Sequence, residues 1–141
     1  MKIRRVVTDS DKEGKSFIKW DSEIEGSSKR KGLTGYSMWA TRKLPVEFTD
    51  EDPNNWDIGA YIKGGSVFRL GLFEPGVEAK WHRTETIDYA VVVSGEIDLQ
   101  LDKDGVHLKQ GDVVVHRAGN HNWANRGTVP CLMLFAMIAT E

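Results

Sequence analysis

The chain has 141 residues, enough for one domain with a sizeable core, and 40% of them are hydrophobic. Its 19 basic and 21 acidic residues give a net charge of -2, and no strongly basic block occurs, which argues against nucleic acid as a partner. The one cysteine, Cys131, excludes an internal disulfide and a cysteine-based zinc site. The N-terminus lacks the apolar core of a signal peptide, and the longest apolar run, Cys131–Ala139, is too short to span a bilayer as a helix. We therefore expect a cytoplasmic protein with no membrane segment.

The first half of the chain predicts a few strands separated by polar loops. Three segments rich in β-branched and aromatic residues are predicted to be strands, namely KIRRVV, FIKW and YSMWATR. Residues 23–35 are polar and glycine-rich, which predicts a loop. Residues 44–65 are acidic and contain two of the four prolines, so we expect a long excursion over the surface.

Short strand patterns with turns between them dominate the second half of the chain. Ile97, Leu99 and Leu101 alternate strictly with polar residues, which is typical of a strand with one buried face. Turns are predicted at EPG, Gly95, KDG and QGD. The predicted strands are, in order, SVFRLGLF, VEAKWHRT, DYAVVVS, EIDLQLD, VHLK, VVVHR, HNWANRG and CLMLFAMIAT.

Closely spaced short strands without helical periodicity favour an all-β sandwich or barrel. We expect a single domain over residues 1–141. Within it, strands and loops of residues 1–65 precede a barrel core over residues 66–140.

A first motif lies in the segment that follows the EPG turn. Gly76 is followed after five residues by His82, then by Thr84 and Asp88, and seven residues later by Gly95. This spacing resembles the first motif of the cupin superfamily, which reads glycine, five residues, His-x-His, three or four residues, Glu, six residues, Gly. In this chain Thr84 stands at the second histidine of that motif, and Asp88 stands at the glutamate.

A second stretch is similar to the partner motif of the same superfamily. That motif reads glycine, five residues, Pro-x-Gly, a short gap, His, three residues, Asn. Here the matching residues are Gly111, Arg117 in place of the proline, Gly119, His121 and Asn125, with a gap one residue shorter than usual. Because both motifs occur in order inside an all-β pattern, the chain is identified as a small cupin.

The resemblance implies a double-stranded β-helix, or jelly-roll barrel, with a site inside it. Carried over position by position, it makes His82, Asp88 and His121 the ligands of one divalent metal. Two imidazoles and one carboxylate with open positions suit Fe, Mn, Ni or Zn. The alternative is a metal-free polar cluster in which the histidines and Asp88 satisfy each other's hydrogen bonds.

Further residues are candidates for contact with a substrate. His116 ends the strand VVVH and is interpreted as a proton shuttle beside His82, Asp88 and His121, or else as a packing residue at the barrel mouth. Thr84 would orient water or substrate. We also expect Tyr89, Trp123 and Arg117 to bind substrate, with a core or surface role as the alternative for each.

These candidates favour a small-molecule enzyme of the cupin type that uses the metal as a Lewis acid, as an oxygenase, an isomerase, or a lyase or dehydratase. One alternative is a metal-free enzyme in which His82 and Asp88 act as an acid–base pair, as in the sugar-epimerase branch of the superfamily. Another is a non-catalytic module that binds a small ligand. The apolar first and last strands predict a homodimer.

Overall fold

The computed structural model describes residues 1–77 and 80–141. Within these residues it consists of eleven β-strands and one turn of 3-10 helix at Pro53–Asn55. This confirms the all-β prediction. The strands are β1 (Lys2–Ser10), β2 (Ser16–Glu25), β3 (Ser27–Arg30), β4 (Leu33–Thr41), β5 (Ser66–Phe73), β6 (Thr86–Ser94), β7 (Glu96–Leu101), β8 (Gly105–Lys109), β9 (Val113–Arg117), β10 (His121–Ala124) and β11 (Cys131–Ala139).

Two antiparallel sheets form the body of the fold. The larger sheet has six strands in the order β3-β4-β5-β11-β6-β9, and the smaller has three in the order β10-β7-β8. Strands β1 and β2 pair with each other as a separate hairpin. In the larger sheet Asp88 of β6 lies opposite His116 of β9 on one side and Met137 of β11 on the other. These pairings place three chemically distinct side chains at one level of the sheet.

The two faces of the larger sheet follow the two-residue period of its strands. One face packs with the smaller sheet into a core that includes Val92, Ile97, Trp123 and Met133. The other face is partly covered by the hairpin. There Ile24 of β2 packs with the members of a second cluster, which are Tyr36, Met38, Leu70 and Leu132. Each such side chain contributes about 1.5–3 kcal/mol by leaving water.

The glycines of the two motifs are all in turns with positive φ. Gly76, Gly95 and Gly111 have φ of 83°, 82° and 88°, and Gly119 has φ of 146°. Only glycine adopts these conformations without a steric penalty. Gly95 has a second constraint, because a Cβ atom there would lie 2.5 Å from the carbonyl oxygen of Pro130. The motif glycines are therefore required by the backbone path.

The prediction of a loop over residues 23–35 was wrong. Strand β2 continues to Glu25, β3 occupies Ser27–Arg30, and β4 begins at Leu33. Strand β3 is a short edge strand with three of its four residues exposed, so its composition is polar and shows no hydrophobic alternation. The prediction of a long excursion at 44–65 agrees with the structure, which has the 3-10 turn and no strand there.

The strand predicted at VEAKWHRT includes Glu78 and Ala79, which lie outside the described residues. Over residues 80–85 the described chain has one isolated β-bridge, between His82 and His121. Within residues 1–77 and 80–141, no helix has the length and apolar character needed to cross a membrane.

Candidate functional site

A cavity of about 250 Å³ lies inside the barrel and contains most of the residues that the sequence singled out. Five predicted site residues line it, namely His82, Thr84, Asp88, His121 and Trp123. They come from the segment before β6, from β6 itself and from β10. His82 and His121, which are 39 residues apart in the sequence, therefore meet at one cavity.

His82 and His121 form the centre of the site. Each backbone N–H donates to the carbonyl oxygen of the other residue over 3.0 Å, and the ring centroids are 4.3 Å apart. His82 Nδ1 lies 2.6 Å from the Lys80 carbonyl oxygen, and His121 Nδ1 lies 2.9 Å from the Gly119 carbonyl oxygen. Since a carbonyl oxygen only accepts, both Nδ1 atoms carry a proton in the neutral rings. The lone pair of each ring is therefore on Nε2.

His116 is packed behind His121, with ring centroids 4.2 Å apart. Its Nε2 atom lies 3.2 Å from the same Gly119 carbonyl oxygen, so in His116 the protonated nitrogen is Nε2. The turn that presents this carbonyl is unusual, because Ala118 has a positive φ of 40° and Gly119 follows at 146°. The backbone turn between β9 and β10 thus fixes two imidazoles at once.

Asp88 is only 5% exposed and belongs to a short chain of hydrogen bonds. The Thr86 hydroxyl donates to Asp88 Oδ1 over 2.6 Å and lies 2.9 Å from the Thr84 hydroxyl oxygen. Thr84 and Thr86 are themselves buried. Thr84, which stands where the cupin motif has a second histidine, therefore takes part in orienting the carboxyl group through Thr86.

Burial moves two pKa values in the site in opposite directions. Loss of solvent raises the pKa of Asp88, although the Thr86 hydrogen bond and the charges of His116, His82 and Arg69 oppose the change. Loss of solvent lowers the pKa of His121 to about 4, while its hydrogen bond to Gly119 opposes this. His121 is therefore neutral at pH 7. The carboxyl group and the imidazole approach each other in proton affinity.

The donor set fits a metal ion only in part. The Nε2 lone pairs of His82 and His121, with Nδ1 held by carbonyl oxygens, are the arrangement usual for metal-binding histidine. However, no three His, Cys, Asp or Glu side chains of the described residues come together in a way that could hold a metal ion. The expected set of His82, Asp88 and His121 is thus not assembled as a three-ligand centre, and Asp88 Oδ1 is engaged by Thr86.

Tyr89 and Arg117, which are predicted to bind substrate, are not among the residues that line this cavity. Tyr89 alternates with Asp88 along β6, so its side chain lies on the outer face of the sheet and is 49% exposed. Arg117 follows the buried His116 on β9 and is exposed for the same reason. A residue next to a site residue on a strand faces away from the site.

Sequence reasoning missed the cationic side chains of the cavity. Lys29, Arg30, Arg69 and Lys80 line it beside the histidines. Arg69 could have been identified as a candidate, because it is the one charged residue in the apolar strand SVFRLGLF. It shares the inward face of β5 with Phe73, which belongs to the barrel core. Lys29 and Arg30 gave no such signal in a segment predicted to be a loop.

Comparisons with known proteins agree with the fold and the motifs. Residues 69–137 match the Cupin_2 family model, described as a cupin domain. Phomopsin biosynthesis cluster protein D of Diaporthe leptostromiformis is 38% identical over 138 residues, covering 86% of this chain and 70% of that protein. The cupin-domain-containing oxidoreductase fogC of Aspergillus ruber is 34% identical over 147 residues, covering 97% of this chain and 72% of that protein.

Among solved structures, KdgF from Halomonas sp. superposes with a TM-score of 0.58. The sequences are 13% identical, and the match covers 82% of this chain and 89% of that one, so this likeness concerns the fold alone. The family match, the relatives above 30% identity and the barrel with its two motifs lead to one assignment. This chain belongs to the cupin family.

Proposed function

We propose that this chain is a small-molecule enzyme that works by general acid–base catalysis inside the barrel. One observation carries the proposal. Two imidazoles with Nε2 lone pairs share a small cavity with a buried carboxyl group of raised pKa, and their ring centroids are 4.3 Å apart. Titratable groups whose environments shift their proton affinities are typical of sites that transfer protons.

The structure suggests a role for each group. His121 would accept a proton on Nε2, since its lowered pKa keeps the ring neutral at pH 7. The Gly119 carbonyl oxygen would then stabilise the imidazolium through the hydrogen bond at Nδ1. His82, with the same tautomer, is the second proton acceptor. Asp88, whose pKa is raised by burial, is the proposed proton donor.

These roles support reactions in which protons are exchanged between substrate atoms. In an isomerisation or epimerisation, one group removes a proton from a carbon beside a carbonyl group and another returns a proton to the substrate. In a dehydration, His121 takes the carbon-bound proton, the hydroxyl group leaves with a proton from Asp88, and the product is an alkene and water. In each reaction the enzyme returns to its starting state when the group that took a proton passes it to the group that gave one.

A metal-dependent oxidoreductase is the second candidate function. It is favoured by the free Nε2 positions of His82 and His121 and by the name oxidoreductase carried by the fogC relative. An Fe, Mn, Ni or Zn ion on the two histidines would supply a Lewis acid or redox centre. We place either activity in the cytoplasm and in a homodimer as part of the same proposal.

Proton transfer can be tested without knowing the natural substrate. Incubation in D₂O with small keto acids, hydroxy acids and phenols, followed by NMR, detects exchange of carbon-bound hydrogen or loss of water. We expect at least one compound to react, and the His121→Gln variant to lose ~100-fold or more of that rate. His107→Gln, on the exposed strand β8, is the control and should react like the wild type. A reaction that His121→Gln leaves intact would overturn the proposed role, and ligand binding without any reaction would favour a non-catalytic module.

A further inference from the structure

Within the described part of the chain, four cationic side chains and one carboxylate line the barrel cavity. The cations are Lys29, Arg30, Arg69 and Lys80, and the carboxylate is Asp88. We propose that Arg30, Arg69 and Lys29 bind the carboxylate group of the substrate, which is a small organic acid with an apolar body. This inference rests on the proposed function, because it names the substrate class of the same site.

The cations are available for a ligand. Lys29, Arg30 and Lys80 form no ion pair with any side chain in residues 1–77 or 80–141. Arg30 is half-buried, and Lys29 and Lys80 are exposed. Arg30 Nε is buried and has no hydrogen-bond partner among the described residues. Buried donors are normally satisfied. Because Arg30 lines the cavity, its guanidinium group brings unused hydrogen-bonding capacity to it.

Arg69 is held in place by the long excursion that precedes β5. One of its terminal nitrogens donates to the carbonyl oxygens of Gly59 and Ala60 over 3.1 and 3.2 Å. The guanidinium group keeps further N–H groups, which suit the two oxygens of a carboxylate. A side chain that is already held in its binding conformation loses less conformational entropy when the ligand binds.

The space for Lys29 depends on a glycine. A Cβ atom at Gly35 would lie 2.7 Å from Lys29 Cε, so the bare backbone of β4 leaves room for the lysine stem. A second cavity of about 310 Å³ also borders Lys29, Gly35 and Arg69. Lys29 and Arg69 therefore border both cavities.

The rest of the first cavity determines the body of the ligand. Phe73, Trp123, Phe135 and Met137 supply apolar and aromatic surface. A volume of about 250 Å³ is below the usual range of pockets for drug-sized ligands. This combination fits an aryl or short alkyl carboxylic acid with its charged end on the arginines and its body towards the histidines.

The test compares each acid with its uncharged isostere. Calorimetry would measure binding of benzoate, phenylacetate and hexanoate, each beside its amide, with inorganic phosphate as a further probe. We expect at least one acid to bind ~10-fold or more tightly than its amide, and Arg30→Gln to remove ~10-fold of that affinity. Arg69→Gln should lower the affinity for the acid by a similar factor. Because that variant also removes the hydrogen bonds to the carbonyl oxygens of Gly59 and Ala60, Arg30→Gln tests the cationic site without disturbing this segment. Arg4→Gln, on the exposed hairpin strand β1, should bind like the wild type.

The inference is overturned if no acid binds better than its amide, if phosphate binds as tightly as the acids, or if both arginine variants retain full affinity. Its failure is distinct from failure of the proposed function. A protein that binds acids through Arg30 but exchanges no protons would refute the function and keep the inference. A protein that reacts equally with acids and amides would refute the inference about the substrate carboxylate and keep the proposed function.

Discussion

His116 and His121 donate hydrogen bonds to the same acceptor, the carbonyl oxygen of Gly119, over 3.2 and 2.9 Å. The two rings use different nitrogens, so one backbone oxygen gives neighbouring imidazoles opposite tautomers. The lone pair of His116 is then on Nδ1 and that of His121 on Nε2. A turn with positive φ at Ala118 and Gly119 sets the protonation pattern of the site.

The buried state of His121 predicts acid sensitivity. Its pKa is about 4 in the folded protein and 6.5 in the unfolded chain, so the unfolded chain binds the proton more tightly. Stability is therefore lost as the pH falls from 6.5 towards 4. Allowing for solvent in the cavity, the loss is about 2 kcal/mol. Urea unfolding across this range should show the loss in the wild type and a flatter profile in His121→Gln.

His107 provides a control of opposite sign for that experiment. Its hydrogen bond to Asp98, with a smaller contribution from Glu96, raises its pKa above 6.5. It therefore stabilises the fold below pH 6.5, and this stabilisation is lost as the pH rises through the raised value. His107→Gln should lower stability at pH 6 more than at pH 8. An unchanged acid profile in His121→Gln would contradict the assignment of the acid-sensitive group.

Asp88 should reduce the stability of the native state at neutral pH. Because burial raises its pKa, the ionised form is disfavoured in the folded protein and the protonated form is not. Asp88→Asn keeps an oxygen to accept from Thr86 and removes the group whose ionised form burial disfavours. We expect the variant to have a higher free energy of unfolding than the wild type at pH 7, with the difference shrinking as the pH approaches 4. Lower stability at pH 7 would mean that the charge is paired more strongly than its burial suggests.

The turns of the two motifs offer a matched pair of substitutions. Gly95 and Gly111 both have positive φ, but a Cβ atom at Gly111 would meet nothing within 4 Å, whereas one at Gly95 would lie 2.5 Å from Pro130 O. Gly111→Ala should cost about 1–2 kcal/mol from the left-handed backbone alone. Gly95→Ala should lower the free energy of unfolding by on the order of 4 kcal/mol or prevent folding, since the backbone at Pro130 and Cys131 would have to move. Equal losses in urea unfolding would contradict the close packing at Gly95.

The outer face of the larger sheet predicts the association state. Where the hairpin does not cover it, Phe68, Tyr89, Val113 and Val115 are exposed, the last by 57%. Apolar side chains on neighbouring strands form a patch that a second copy could bury across a two-fold axis. We expect a dimer in light scattering and a monomer for Val115→Lys. Val106→Lys, on the smaller sheet, should remain dimeric, and a monomeric wild type would refute the prediction.

Much of the fold and the centre of the site could be predicted from sequence because they depend on local patterns. The alternation in β7 predicts a strand there, and the resemblance of the two motifs to those of cupins implies that His82, Asp88 and His121 meet inside a barrel. His82 itself lies in an isolated β-bridge and not in a strand. Strand β3 could not be predicted, since an exposed edge strand needs no apolar residues. Its pairing with β4 brings Lys29 and Arg30 to the cavity, so the cationic part of the site was missed with it.

Neither the histidine tautomers nor the orientation of Asp88 as a third metal ligand could be predicted from the sequence. Residue types and spacing show which donors share a cavity, but the positions of two carbonyl oxygens decide which nitrogens carry protons. Likewise the hydrogen bond from Thr86 determines how Asp88 is oriented. These features depend on backbone geometry to a fraction of an ångström.

In the proposed function, the side chains of the barrel transfer protons without a metal ion. The most direct test measures deuterium exchange into a reacting compound by protein whose metal content has been reduced to a trace by chelation, as verified by mass spectrometry. We expect the stripped protein to keep its full rate, and addition of Fe, Mn, Ni or Zn to leave that rate unchanged. A rate that vanishes on stripping and returns with one of these metals would contradict the proposed function and establish the metal-dependent alternative.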